Sequence, residues 1–350
     1  MIKPEALGED EKHRPQPIFE QSEPLNKDYW IESMHRSIER LATDRASRGD
    51  LKLLARTLRE LRYALKIFQP YRRRRKVTIF GSARTPRSHP AYQMAYDLGE
   101  GIAKHDWMVI TGAGPGIMAA GHEGAGREAS MGLNILLPFE QSANEFIDGD
   151  PKLVTLRYFF TRKLMFIKEC SGVVCLPGGF GTLDEALEVL TLMQTGKQAL
   201  LPFVFLDEPG GNYWTRLFVF IEEQLLRGGL ISADDVHLFK ITDSVQDTID
   251  TVMGFYRVYH SMRYVRDRLV LRLNHPLSAE EVAALNEEFA TILVSGQIEQ
   301  CDALEAEQNE PEILELPRLC LHFNRRNFGR LRLLIDRINA AATEESAVSS

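Results

Sequence analysis

The stretch "GVVCLPGGFGTLDEALEVL", residues 172–190, joins a short apolar run to an amphipathic segment through a glycine-rich turn. The run 172–176 has the length and composition of a buried strand, and the residues after the turn have helical periodicity. Gly178, Gly179 and Gly181 remove side chains from the place where the first amides of that helix point outward. Such a strand–turn–helix unit is typical of a phosphate-binding site in an α/β protein.

The acid in this stretch has two interpretations. Thr182 stands three residues before Glu185, so Thr-Leu-Asp-Glu fits a capping box in which both side chains bond backbone amides of the first helical turn. Glu185 is then structural. Alternatively, Glu185 is a functional carboxylate beside the ligand held by the glycines, and the sequence of this stretch alone leaves both open.

The surrounding chain repeats the strand–helix pattern. Short apolar runs occur at 77–80, 107–111, 133–137, 153–156, 172–176 and 203–206, and helical segments separate most of them. This alternation predicts a doubly wound, Rossmann-like α/β fold with a parallel sheet. We assign it to residues 76–260, and predict a flexible arm at 1–26, a helical segment at 27–75, a small α+β unit at 261–340 and a disordered tail at 341–350.

The composition narrows the class of protein. The 350 residues are 44% hydrophobic and 26% charged with a net charge of −7, which is ordinary for a globular enzyme and does not favour nucleic-acid binding. No apolar segment suits a signal or a membrane span, so we expect a cytoplasmic protein that does not bind membranes. The four cysteines show no metal or CxxC spacing and are expected to be reduced thiols. His105 and His122 lack a spaced partner ligand, so no metal site is expected.

Three more stretches fall at the carboxyl edge of the predicted sheet, where ligands of doubly wound folds bind. They are "FGSAR" (80–84), "TGAGPGIM" (111–118) and "FFTRKL" (159–164). The residues expected to contact a ligand there are Gly81, Ser82, Gly112, Gly114, Gly116, Arg162 and Lys163. The basic run Arg72–Lys76 precedes the first strand and is either a solvated connector or an anion site.

The glycine spacing excludes two ligand classes. The second loop has the pattern G-x-G-x-G instead of the dinucleotide pattern G-x-G-x-x-G, and G-G-F-G-T lacks the lysine of a P-loop. A mononucleotide fits better than either. Arg162 and Lys163 open a helix, an end at which the helix dipole disfavours cations, and such a departure often marks a functional site. Arg162 is expected beside Glu185, where an arginine would keep the carboxylate ionised.

Taken together, these motifs resemble the LOG ("lonely guy") family of nucleotide-binding proteins, long mislabelled as lysine decarboxylases. The family motif P-G-G-x-G-T-x-x-E matches Pro177 to Glu185, its arginine falls on Arg162 and its glycine-rich turn on Gly112 to Gly116. The resemblance covers roughly residues 76–260. It departs at Ala119, where long members often have an acid, which leaves the base preference open.

The resemblance implies a cofactor-free enzyme that hydrolyses the N-glycosidic bond of nucleoside 5′-monophosphates, some of them cytokinin nucleotides, to free base and ribose 5-phosphate. Glu185 would stabilise the positive charge that develops on the sugar or activate water, and Arg162 would orient it. The glycine loop, Thr182 and Lys163 would bind the substrate. A homodimer or higher oligomer is also implied, and the apolar stripe of residues 183–193 favours it. The alternative is a non-catalytic nucleotide sensor. A decarboxylase is disfavoured because no lysine is marked out for a Schiff base.

Overall fold

The computed structural model describes residues 27–137, 142–308 and 310–348, with side chains placed as far as residue 341. The chain divides into two compact units. The larger unit contains Leu41–Tyr256 and Arg326–Asp336, and the smaller contains Arg257–Arg325 together with residues 27–40 and those from Arg337 onward. The arm predicted at residues 1–26 lies outside the described residues.

A seven-stranded sheet forms the centre of the larger unit, in the order β4-β3-β2-β1-β5-β6-β7. All its strand pairs are parallel. This confirms the predicted doubly wound α/β fold. The strands are β1 Lys76–Phe80, β2 Met108–Thr111, β3 Ser130–Ile135, β4 Leu153–Leu156, β5 Gly172–Cys175, β6 Phe203–Leu206 and β7 Lys240–Thr242. The sequence did not predict β7, because this edge strand is three residues long and only partly buried.

Helices cover both faces of this sheet, which is why every residue of its central strands β1, β2, β5 and β6 is buried. Leu98, Ile102 and Ile249 pack against Val77 and Ile79 in one buried cluster. The helices of the chain are α1 Lys27–Thr43, α2 Arg48–Phe68, α3 Pro90–Lys104, α4 Ile117–Ala129, α5 Phe159–Glu169, α6 Phe180–Gln194, α7 Tyr213–Phe220, α8 Val245–Gly254, α9 Ala279–Glu288 and α10 Phe328–Val348. None of the described helices has the length and apolarity to cross a bilayer.

The smaller unit contains a four-stranded antiparallel sheet in the order β10-β11-β9-β8. Its strands are β8 Tyr259–Val265, β9 Arg268–Leu273, β10 Leu293–Cys301 and β11 Arg318–Phe323. The sequence predicted a small α+β unit from residue 261 but did not identify β8 as a strand. Pairing of β8 with β9 decides its conformation, and a helical pattern in a short segment does not reveal such pairing.

Two cysteines of the smaller unit correct the expectation of reduced thiols. Cys301 on β10 and Cys320 on β11 form a disulfide, with their α-carbons 6.8 Å apart. Their separation of 19 residues in sequence shows nothing of this proximity, which comes from the antiparallel pairing of the two strands. Cys170 and Cys175, in the larger unit, are free.

Helix α10 changes the predicted boundaries at the carboxyl end. Residues 326–336 group with the larger unit rather than with the α+β unit to which we assigned them. Helix α10 also continues to Val348, so the expected disordered tail is helical over 341–348. The alanines and glutamates of this segment have high helix propensity, which explains the difference.

The basic run before β1 is built into structural contacts. Lys76 is 2% exposed, and its ammonium bonds the carbonyl oxygens of Tyr71 and Arg74. Arg74 pairs with Asp106 at 2.8 Å, and the guanidinium of Arg75 lies 3.6 Å from the ring centroid of Tyr256. These contacts favour the connector over the anion site.

Candidate functional site

Strands β1 and β5 are adjacent in the sheet, and the strands that follow each of them in sequence extend in opposite directions from this pair. Loops that leave the carboxyl ends of two such strands open a crevice, which is where doubly wound folds bind ligands. The amide of Ser82, after β1, donates to the carbonyl of Pro177, after β5, at 3.1 Å. A cavity of about 790 Å³ lies at this place, and both loops line it.

Helix α6 begins at this cavity, three residues earlier than a capping box with Thr182 as N-cap requires. Its first residue is Phe180 and its N-cap is Gly179, with no side-chain cap. Thr182 is therefore the third residue of the helix, and its amide donates to the Gly179 carbonyl at 3.0 Å. The capping-box interpretation of Thr182 and Glu185 is wrong, because glycine serves as N-cap here.

The glycines of this loop have different roles. A β-carbon on Gly178 would lie 2.1 Å from the hydroxyl oxygen of Thr182, so the close packing of the turn requires glycine. A β-carbon on Gly179 or Gly181 would meet no atom within 4 Å. Both line the cavity, and Thr182 lines it too although it is only 6% exposed. The open backbone at the head of α6 is thus accessible to an anion.

Glu185 lies one turn further along α6 and lines the cavity with only 5% of its surface exposed. Its Oε2 accepts no hydrogen bond from the described residues and lies 3.4 Å from the ammonium of Lys163. Burial raises the pKa of Glu185, and the charges of Lys163 and Arg162 only partly offset the effect. From the sequence we expected Arg162 to keep the pKa of Glu185 low. The structure corrects this expectation, because the effect of burial outweighs the charge of Arg162.

Lys163 contacts carboxylates rather than the cavity. Its ammonium lies 2.9 Å from Asp184, 3.4 Å from Glu185 and 2.6 Å from Glu188. It is not among the residues that line the cavity. Burial acts to lower the pKa of Lys163, but the bonds to Glu188 and Asp184 and the charge of Glu185 raise it overall. The lysine therefore binds α5 to α6 and sets the electrostatic environment of Glu185.

Arg162 lines the cavity together with the glycine loop. Its guanidinium carbon is 5.2 Å from the ring centroid of Phe166 on the same helix. A β-carbon on Gly112 would lie 2.7 Å from Arg162 Nη2 and 2.8 Å from the sulfur of Met118. Gly112 thus leaves the space that the guanidinium occupies, so this glycine supports Arg162 rather than lining the cavity.

Gly114 and Gly116, the other glycines of the second loop, also pack against neighbouring residues and do not line the main cavity. Gly116 has a φ of +66°, and a β-carbon there would lie 2.3 Å from the Ser82 carbonyl. Gly114 packs against the side chain of Met118. Gly81 and Ser82 line the main cavity, whereas Gly116 and Ala119 line a separate cavity of about 370 Å³. The departure from the family pattern at Ala119 thus concerns this second cavity.

Several residues that line the main cavity were not identified from the sequence. Tyr213, at the start of α7, donates its hydroxyl to the Gly178 carbonyl at 2.6 Å. Phe159 and Phe180 line the cavity and are 53% and 92% exposed. Asp184 lines it as well. The position of α7 directly after β6, at the same edge of the sheet, was the one signal that marked Tyr213.

No group of three or more His, Cys, Asp and Glu side chains among the described residues is arranged to hold a metal ion. His122 is fully buried, with its Nε2 3.1 Å from Thr111 Oγ1 and 3.0 Å from the Met131 carbonyl. Burial lowers the pKa of His122 to about 4, so it is a neutral core residue at physiological pH.

The sequence is similar to those of several known proteins. A family model described as "possible lysine decarboxylase" matches residues 115–252. A probable cytokinin riboside 5′-monophosphate phosphoribohydrolase of Oryza sativa subsp. japonica is 25% identical over 180 residues, which cover 50% of this chain and 75% of that protein. A cytokinin riboside 5′-monophosphate phosphoribohydrolase of Arabidopsis thaliana is 30% identical over 166 residues, covering 44% of this chain and 71% of that protein.

Among solved structures, a molybdenum cofactor binding protein from Rippkaea orientalis aligns with 52% of this chain and 97% of its own, at 18% identity and a TM-score of 0.37. The assignment rests on the sequence relatives, in particular on the Arabidopsis protein, which is 30% identical and covered over 71% of its length. The chain therefore belongs to the LOG family.

Proposed function

We propose that this protein hydrolyses the N-glycosidic bond of nucleoside 5′-monophosphates, releasing the free base and ribose 5-phosphate. The observation that carries the proposal is Glu185, a buried carboxylate in the cavity with one oxygen that accepts no hydrogen bond from the described residues. The relatives from rice and Arabidopsis are named for an activity of the same class.

The site supplies what each part of such a substrate needs. The backbone amides at Gly179 to Gly181 and the hydroxyl of Thr182 suit the 5′-phosphate, because a helix amino terminus favours anions. Phe159 and Phe180 offer exposed aromatic faces for a base.

Glu185 acts on the sugar. In the reaction, water adds to C1′, the bond from C1′ to the base nitrogen breaks, and its electron pair stays with the base, which takes up a proton. Positive charge develops on the sugar as that bond lengthens, and a fixed carboxylate stabilises this charge or accepts the proton of the water. A raised pKa suits the second role, because a base works best when its pKa approaches the working pH. Arg162 orients the carboxylate or the ribose.

The direct test is incubation of the protein with AMP, GMP, CMP, UMP and a cytokinin riboside monophosphate, with assay of free base and ribose 5-phosphate. We expect both products in equal amounts from at least one nucleotide. Binding of nucleotides without cleavage of any would instead make the protein a nucleotide sensor.

Replacement of Arg162 by alanine should lower kcat roughly ten- to a hundredfold, because a fixed charge at the reacting centre is lost. The loss combined with Glu185→Gln should be smaller than the product of the two separate losses, since the two residues act on the same event. Arg157→Ala is the matched control, because the Arg157 side chain does not line the cavity. Fully multiplicative losses would contradict a joint role.

The pH dependence of kcat should follow Glu185. The ionised carboxylate is the active form, so kcat falls as pH falls through its raised pKa. Lys163 lowers that pKa by its charge, and Lys163→Gln should therefore move the acid limb of the profile to higher pH. Lys168→Gln, which removes a half-exposed lysine paired with Glu169, should leave the limb in place. An unmoved limb in Lys163→Gln would mean that Glu185 is not the titrating group.

The proposal includes self-association, at least to a dimer. Ala186, Val189 and Met193 of α6 are buried, whereas Leu187 is 46% exposed. Phe160 and Leu164 of α5 are 51% exposed. These apolar side chains favour a protein partner, and a second copy is the simplest one. We expect light scattering at micromolar concentration to give at least twice the mass of one chain, and a monomeric mass would contradict this.

A further inference from the structure

Helix α5 carries Arg162 but has an unfavourable start of its own. Its N-cap is Tyr158, which provides no side-chain hydrogen bond, and its first turn contains no acid. Arg162 and Lys163 follow directly, and both place positive charge near the positive end of the helix dipole. A helix that begins in this way needs compensation from elsewhere in the fold.

Glu60 on α2 provides that compensation. Its Oε1 accepts from the backbone amide of Arg157 at 3.0 Å, and its Oε2 lies 2.9 Å from the hydroxyl of Thr161. The Thr161 hydroxyl also lies 2.8 Å from the Tyr158 carbonyl, so its single proton serves one of the two acceptors at a time. Glu60 thus contacts the chain two residues before α5 begins, at Arg157, and again at the third residue of the helix, Thr161.

These contacts hold the turn from which Arg162 projects. Thr161 is fully buried and directly precedes Arg162, whose amide donates to the Tyr158 carbonyl at 3.2 Å. The guanidinium fits closely against Gly112, so a small movement of the turn would displace it. We propose that Glu60 is a positioning residue that fixes the start of α5, and through it Arg162, for the reaction at Glu185.

This inference rests on the proposed function, and it gives the amino-terminal helical segment a part in catalysis. Glu60 lies on α2, outside the residues that match the family model. It lies 97 residues from Arg157 and 101 from Thr161 in sequence. Glu60 is not among the residues that line the cavity, so it acts through α5 rather than on the substrate.

The test compares kcat and KM in three variants. Glu60→Ala should lower kcat about tenfold or more and change KM little, because misplacement of a reacting group affects the chemical step. Glu60→Gln should keep most of the activity, since its amide oxygen can accept from Arg157 and its NH2 can donate to the Thr161 hydroxyl. Glu100→Ala is the control, because it removes an exposed acid that pairs with Lys104 on α3.

A double-mutant cycle separates positioning from general destabilisation. In an Arg162→Ala background, Glu60→Ala should have no further effect on kcat, because the residue through which Glu60 acts is gone. Equal losses in both backgrounds would overturn the inference, as would parent-level kcat in Glu60→Ala. Should that variant not fold, Thr161→Val removes the other partner of the contact and is subject to the same cycle.

A second measurement does not depend on activity. Hydrogen exchange of the Arg157 amide should be faster in Glu60→Ala and unchanged in Glu100→Ala. If the parent protein cleaves no nucleotide, the proposed function fails, but this result would still support the anchoring of α5 by Glu60. Unchanged exchange at Arg157 in Glu60→Ala would overturn the anchoring whether or not the enzyme is active.

Discussion

Glu185→Gln is expected to lower kcat by about a hundredfold or more while nucleotide binding persists. The substitution keeps the shape of the side chain and removes the negative charge that faces the developing sugar cation. Glu185 takes no part in a cap, since α6 begins at Phe180 with Gly179 as its N-cap. A loss of activity in this variant therefore cannot be attributed to a lost helix start.

The matched control for Glu185 is its neighbour on the next turn. Glu188→Gln also removes a carboxylate from Lys163, but Glu188 does not line the cavity. We expect kcat within about threefold of the parent for Glu188→Gln, as is usual for a charge outside the reacting centre. Kinetics with a panel of nucleotides and calorimetry of binding check both variants. Parent-level turnover in Glu185→Gln would show that this carboxylate is not catalytic.

Phe328→Ala is expected to destabilise the larger unit by about 3–5 kcal/mol, the usual cost of emptying a buried phenylalanine site. Phe328, at the start of α10, is 2% exposed and packs on Gly196 just after α6, where a β-carbon would lie 2.0 Å from its ring. Gly196 has a φ of +67°, so the turn that receives the ring also requires glycine. The free energy of unfolding in urea, followed by tryptophan fluorescence, measures the effect.

Phe220→Ala is the control, because Phe220 is 53% exposed on α7 of the same unit. It should cost below about 1 kcal/mol. A similarly small cost in Phe328→Ala would mean that residues 326–336 are not part of the larger unit. Leu331, Leu334 and Ile335 are also buried and belong to the larger unit, so deletion of residues 262–350 would remove part of its core.

The central fold followed from the sequence because six of its strands are short apolar runs separated by helical segments. Strands covered on both faces produce this pattern without any information from elsewhere in the chain. Strands β7 and β8 were missed because each depends on pairing: β7 is a short edge strand and β8 mixes polar and apolar residues. The disulfide of Cys301 and Cys320 was missed for the same reason.

The candidate site was predictable where a local motif encodes it. The glycine loop after β5 and the positions of Arg162 and Glu185 at the cavity came from strand–turn–helix patterns at one edge of the sheet. Lys163 was predicted to bind the ligand but does not line the cavity. Adjacent residues of a helix point about 100° apart, so two neighbours such as Arg162 and Lys163 seldom face the same cavity. The raised pKa of Glu185 depends on burial, which the sequence does not show. Glu60 contacts Arg157 and Tyr213 contacts Gly178, and the sequence does not reveal contacts between residues so far apart in the chain.

The most direct test of the account is hydrolysis of a nucleoside 5′-monophosphate in water enriched in ¹⁸O, with mass analysis of every product. We predict the label on C1′ of ribose 5-phosphate, with none in the free base or in inorganic phosphate, and loss of this labelled product in Glu185→Gln. Label in inorganic phosphate would make the protein a phosphatase. That result, or labelled ribose 5-phosphate formed equally fast by Glu185→Gln, would contradict N-glycosidic hydrolysis at the head of α6.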